Sequence, residues 1–150
     1  MTRKLSTKTG TENDYKQFLN NVEIYALGLD SISAEIKREA YAIATADKAA
    51  EVIREIKSHF KLIEVGEEFF DVRAAFTVRV KQQNEELLLI RASFTAHFHI
   101  KKGMPVEKHA SKFAQLEARL IFWPYFRQIV ADTTARMHIR PLIIPLTVRP

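Results

Sequence analysis

The sequence contains no cysteine. Disulfides and thiolate metal sites are therefore excluded, and a reducing compartment is the default expectation. Glycine is scarce, at four in 150 residues. No GxxxxGK phosphate loop is present, nor a glycine-flanked turn of the kind that exposes a catalytic serine. Long apolar runs are missing too. A secretory leader needs about 7–15 apolar residues and a membrane helix about 20, and neither is found. The expectation is a cytoplasmic protein without membrane insertion. The opening stretch MTRKLSTKTGTENDYKQF is polar, so residues 1–18 are expected to be disordered and residues 19–150 to form one domain.

What is present fits a globular chain: 47% hydrophobic and 27% charged residues. A domain of this size buries roughly 68–70% of its unfolded surface, enough for a proper core. The net charge of +5 permits acidic partners, nucleic acid among them. The 23 cations are spread along the chain, whereas nucleic-acid binding needs a focused patch. A basic nucleic-acid-binding module is therefore an alternative, not the leading reading.

The clearest pattern is an alternation of period two. In DVRAAFTVRVK, Val72, Ala74, Phe76, Val78 and Val80 share one side, and Asp71, Arg73, Thr77 and Arg79 the other. After QQNEE the pattern restarts, with Leu88, Ile90, Ala92, Phe94, Ala96, Phe98 and Ile100 opposite Arg91, Ser93, Thr95, His97 and His99. Two such strands joined by a polar turn predict an antiparallel hairpin with one buried face. A further strand is expected over residues 22–37. It looks oily on both faces, because Val22 and Ile24 are even while Tyr25, Leu27 and Leu29 are odd. It reads either as a strand buried on both sides or as an apolar binding strip, with Gly28 marking a bulge or a close approach. Residues 46–60 read as helix, with Asp47 as N-cap. KLIEVGEEFF reads as strand, with Gly66 at a bend.

Residues 106–123 predict a helix, and Pro124 is expected to start a second one over residues 124–138. The stripe of that helix is Phe126, Ile129, Val130, Thr133 and Met137, with Tyr125 on another side. A terminal helix that is apolar on more than one side points to a neighbouring subunit. RPLIIPLTVRP is extended, because its prolines forbid helix.

Candidate chemical groups are few. His97 and His99 share a strand face, but no Asp or Glu completes a metal set locally, and no metal or other cofactor is expected. Ser93, Thr95, His97 and Asp71 form a conceivable nucleophile–base set. A small-ligand enzyme using His97 as base is the weaker alternative, since such residues are ordinary on a solvated sheet face. Arg127 and Arg136 lie about 180° apart around a helix and cannot clamp one anion. Arg127 reads as a structural partner for a carboxylate or for a neighbour's helix-end carbonyls.

The C-terminal stretch resembles the SecB family of bacterial export chaperones. Phe122, Pro124, Tyr125 and Arg127 match that family's Phe-Pro-Tyr-x-Arg-Glu element, with Trp123 inserted and Gln128 in place of the acid. Arg136 matches a late helical arginine, and Pro141, Leu142 and Pro145 match the tail. DVRAAFTVRV and LLLIRASFTAHFHI look like the family's third and fourth strands. The resemblance runs over residues 21–148. It implies an α+β subunit, a four-stranded antiparallel sheet with a long C-terminal helix packed on one face. It further implies a homotetramer built as a dimer of dimers, and ATP-independent holding of unfolded polypeptides without enzymatic chemistry. Client contact is assigned to Tyr25, Leu27, Leu29, Phe60, Leu62, Phe69 and Phe70. The oligomer interface is assigned to Tyr125, Phe126, Ile129, Val130, Thr133 and Met137.

Three departures qualify this. The family usually continues into a further helix flanking the groove, and this sequence ends at Pro150; a more open groove, or cover from residues 46–58, is expected. Exporting members dock the motor SecA through acids on the outer sheet face, whereas this chain is basic. Glu35 lies near one acidic position, but Arg91 stands where the fourth strand would carry an acid, so SecA docking is doubtful. Residues 46–58 have no clear counterpart. A basic, shortened member resembles the SecB-like chaperones that accompany toxin–antitoxin pairs, so the client is either an export precursor or an antitoxin.

Overall fold

The alternation in the middle of the chain is realised as a long hairpin. In the computed structural model, which describes residues 6–37, 53–82, 84–139 and 142–144, β3 (Phe69–Gln82) pairs antiparallel with β4 (Glu85–Ile100). The even residues of both strands are buried from Phe70 to Val78 and from Leu88 to Ile100. Asn84 turns the chain with φ 63°, a conformation asparagine tolerates. Two further strands, β1 (Val22–Ile36) and β2 (Ile53–Val65), flank the hairpin. The order is β1-β4-β3-β2, and all pairs are antiparallel. This is the expected four-stranded sheet of an α+β subunit.

β1 resolves the puzzle of a strand apolar on both faces. Its register with β4 shifts between Ile24 and Ala26 and again between Leu29 and Ser31. Each bulge inserts one extra residue, Tyr25 and Asp30, and flips the parity of the residues beyond it. Ile24, Leu27, Leu29 and Ile32 therefore pair with Phe98, Ala96, Phe94 and Ala92, all inward-facing residues of β4. The strand has one apolar face. Gly28 is not a bulge; it sits in regular register with Thr95.

β2 corrects the helix expected over residues 46–60. Residues 53–60 are strand, paired with β3 from Ile53↔Lys81 to Phe60↔Ala74. The Ala, Glu, Arg and Lys content there favours helix only weakly, and pairing along the whole of β3 outweighs it. The rest of that helix, residues 46–52, lies outside the described residues. Gly66 closes the β2–β3 turn, its N–H bonded to Phe69 O at 2.8 Å. A Cβ at Gly66 would lie 2.1 Å from the Phe69 ring, so only glycine fits.

Among the described residues, three helices cover the inner face: α1 (Ser6–Asn20), α2 (Val106–Leu116) and α3 (Ala118–Arg136). The helix break falls at Glu117, not at Pro124, which lies inside α3. Pro124 cannot donate to the Leu120 carbonyl. The cost is limited because Leu120, Pro124 and Gln128 all lie on the exposed side of the helix. α1 occupies part of the segment expected to be disordered. Tyr15 and Phe18, three residues apart, put their rings into the core, and this anchors the helix. No helix among the described residues is long and apolar enough to cross a membrane.

The core is aromatic. At one end Phe70 stacks on Phe98 (4.9 Å between centroids), with Phe113 and Phe18 against Phe70. At the other, Phe76 stacks on Phe126 at 4.3 Å, with Phe60, Phe94 and Trp123 around Phe76. Offset stacks and edge-on contacts of this kind add about 0.5–1.5 kcal/mol per pair beyond burial. His109 is buried between Phe18 and Tyr15. Burial first, then Lys108 beside it, pushes its pKa below the ordinary 6.5. Burial, with Glu117 nearby, pushes the Tyr15 phenol up to about 12.

Candidate functional site

Among the described residues, no helix packs broadly on β1. α2 packs over β2 and β3, and α3 over β3 and β4. The apolar inner face of β1 is left open to water at Ile24 (48% exposed), Leu29 and Ile32. Leu116 and Leu120 (72% exposed) stand beyond it at the α2–α3 junction. Between them runs a groove of about 410 Å³, with Leu19, Val22 and Ile24 on one side and Phe113, Leu120 and Ile121 on the other. Burying such surface is worth roughly 25 cal/mol per Å². No bond needs to be made or broken for this face to bind an apolar chain.

The residues expected to contact client do not form one strip. Leu27 and Leu29 lie on the inner face of β1, at one edge of the sheet. Phe60 and Leu62 lie at the opposite edge, half-buried, with Phe60 packed on Phe76 and Phe122. Tyr25 and Phe69 are on the outer face, against His99 and His97. Phe70 is not available at all; it is fully buried, because its register opposite Phe98 puts it in the core alternation. Sequence reasoning missed Ile24, Ile32, Leu116 and Leu120. The double bulge concealed the first two, and the break at Glu117 the others.

The expected interface residues divide likewise. Phe126 and Val130 are fully buried against the chain's own sheet, so they are core, not interface. A single helix laid on a sheet needs its main stripe for that sheet. Ile129, Thr133 and Met137 are half-buried, and Tyr125 is 49% exposed. Among the described residues Arg127 pairs with a carbonyl and not a carboxylate: its Nε–H donates to Ile144 O at 2.8 Å. Thr134, also buried, accepts the Leu142 N–H at 2.8 Å. Residues 142–144 are thereby held along α3, with Ile144 buried.

On the polar outer face the hydroxyls of Ser93 and Thr95 pair with groups other than His97. Ser93 shares its hydrogen bond with Ser31 (2.7 Å), and Thr95 donates to Asp30. His97 is bonded to Asp71 and to His99. Among the described residues no three His, Cys, Asp or Glu side chains converge as a metal site. The sheet's cations are largely paired, Arg73 with Asp30, Arg79 with Glu86, and Lys57 and Lys81 with Glu55. Lys81, then Lys57, holds the Glu55 carboxyl below its usual range. Arg91 is exposed between Ser33 and Thr77.

Comparison with known proteins adds three findings. A family model described as preprotein translocase subunit SecB matches residues 16–146. The chain is similar to the protein-export protein SecB of Bartonella quintana (strain Toulouse), 30% identical over 80 residues, which are 53% of this chain and 49% of that protein. The match thus spans about half the length of that relative. In fold, it is similar to a solved SecB-like chaperone of Mycobacterium tuberculosis in complex with a ChAD peptide from the HigA1 antitoxin. The TM-score is 0.74 at 19% identity, covering 92% of this chain and 99% of that one. The sheet order, the helices on one face and the family match over most of the sequence agree: this chain belongs to the SecB family.

Proposed function

We propose that this protein is an ATP-independent holdase of the cytoplasm that binds unfolded or aggregation-prone polypeptide. The client class is an export precursor or an antitoxin. The observation that carries the reading is the open apolar face of β1 beside Leu116 and Leu120. Exposed apolar surface of this kind on an otherwise well-packed domain marks a protein-binding site. An extended client gains main-chain hydrogen bonds if it lies along a sheet edge, and side-chain burial from the groove.

The proposed assembly is a homotetramer, a dimer of dimers. β1 and β2 are the two edges of the described sheet. β2 defends its edge with Arg54, Glu55, Lys57, Lys61 and Glu64, whereas the middle of β1, ALGLDSIS, carries a single charge. An edge strand of 15 residues with one charge across its middle is a template for another strand, so side-by-side pairing of two sheets through β1 covers it. In this proposal Tyr125, exposed at the margin of α3, belongs to the contact between dimers. SecA docking is not part of the proposal, since Arg91 occupies the middle of the outer face. The test is co-elution on a sizing column: a chemically unfolded client should elute with the protein without nucleotide, and the same client in its folded form should not. Failure to retain the unfolded chain would overturn the proposal.

A further inference from the structure

The polar cluster on the outer face of the sheet lies apart from the apolar groove, and its geometry is specific. His97 and His99 lie two apart on β4, on the same side of the strand. Their Nε2 atoms approach to 3.0 Å. Asp71 sits directly across from His97 in the β3–β4 register, and its carboxylate bonds His97 Nδ1. That bond fixes the tautomer: Nδ1 carries the proton and donates it, which leaves the Nε2 lone pair free. His99 then supplies the single proton shared between the two Nε2 atoms. Each ring is held in plane by an aromatic neighbour. Tyr25, the residue inserted by the first β1 bulge, stacks on His99 at 4.4 Å and 10°, and Phe69 stacks on His97 at 5.2 Å and 29°.

We infer that His97 and His99 form a two-imidazole chelate for a late first-row divalent cation, zinc(II), nickel(II) or copper(II), with Asp71 as the positioning carboxylate. Metal–imidazole bonds of about 2.0–2.1 Å meeting at about 90–109° place the two nitrogens about 2.8–3.4 Å apart. The observed gap of 3.0 Å falls within that span. A cation there replaces the shared proton, His99 moves its own proton to Nδ1, and the remaining positions go to water. Imidazole donors select zinc, nickel and copper over magnesium or calcium. The carboxylate behind His97 holds the ring in place, as in carboxylate–histidine–zinc arrangements. Asp71 is only 18% exposed and His97 31%, so the pair is partly sheltered while the outward side of the site is open. This inference does not depend on the holdase reading.

The test is isothermal titration of the full-length protein with nickel(II) and with zinc(II), at about pH 7.5. One saturable site per chain is expected. His97→Ala and His99→Ala should each abolish it, and Asp71→Asn should weaken it about 10–100-fold. His59→Ala, at the far edge of the same face, should leave it unchanged. All four side chains are on the solvated face, and unaltered circular dichroism checks that the fold survives. Absence of saturable binding to wild type, or binding that persists in a His97→Ala/His99→Ala double variant, would overturn the inference. Full affinity in Asp71→Asn would overturn the positioning role.

Discussion

Phe126 lies flat on Phe76, with ring centroids 4.3 Å apart and planes within 10°. This contact is one of several that fix the long helix to its own sheet. It also decides what a charge placed there would do. Phe126→Ala should cost about 3–5 kcal/mol of unfolding free energy, the usual range for a buried phenylalanine. Phe126→Asp and Val130→Asp should cost more and abolish cooperative unfolding in urea. If those variants folded normally and merely dissociated, the helix stripe would belong to an interface after all.

The apolar face of β1 should behave in the opposite way. Leu29→Asp and Ile32→Asp alter partly exposed side chains. The subunit's thermal unfolding should therefore shift little, within about 0.5 kcal/mol. The native mass by sedimentation should fall and retention of unfolded client should weaken, because a charge would have to be buried on association. A variant of unchanged mass and unchanged client retention would mean that this face is neither interface nor groove.

His109 gives the fold an acid sensitivity. Its folded-state pKa lies below the ordinary 6.5 because it is buried beside Phe18 and Tyr15. Below that value the unfolded chain binds a proton that the folded one resists. The stability is thus complete above the unfolded pKa and is lost as pH falls through it toward the folded value. Urea midpoints measured from about pH 7.5 down to about pH 5.5 should decline in wild type. They should decline less in His109→Phe, which keeps the ring and removes the titration. Parallel declines in both proteins would refute the assignment.

Thr134 serves three bonds at once: it donates toward Val130 O and Ala131 O and accepts the Leu142 N–H. Thr134→Val preserves shape but leaves the Leu142 N–H without that partner. The expected loss is about 1–3 kcal/mol. Limited proteolysis should then cut near residues 142–144 faster than in wild type. Unchanged cleavage would show that Ile144 burial alone holds the segment.

The legible parts of the fold are those in which side-chain parity and strand pairing agree. Val72 to Val80 and Leu88 to Ile100 state their buried face without tertiary information. β1 misleads a parity reading because the residues that reset it, Tyr25 and Asp30, look like any others; only the ladder with β4 exposes them. Residues 53–60 mislead because a weak helical preference stands against a long-range pairing that sequence does not display. At the candidate surface, the burial of Phe70 is implicit in its even parity with Val72, whereas the exposure of Leu116 and Leu120 arises from the break at Glu117. The grouping of His97 with Asp71 is legible once the hairpin is. Asp71 is 26 residues away in sequence and meets it only through the hairpin register.

The central claim is that apolar surface on this subunit holds unfolded chains, and light scattering tests it directly. An aggregation-prone client is diluted from denaturant into buffer with an equimolar amount of the protein, without nucleotide, at low and high salt. The account predicts that scattering is suppressed at both, since apolar burial survives screening while surface electrostatics do not. Scattering that rises as fast as in buffer alone, or suppression that vanishes with salt, would contradict it.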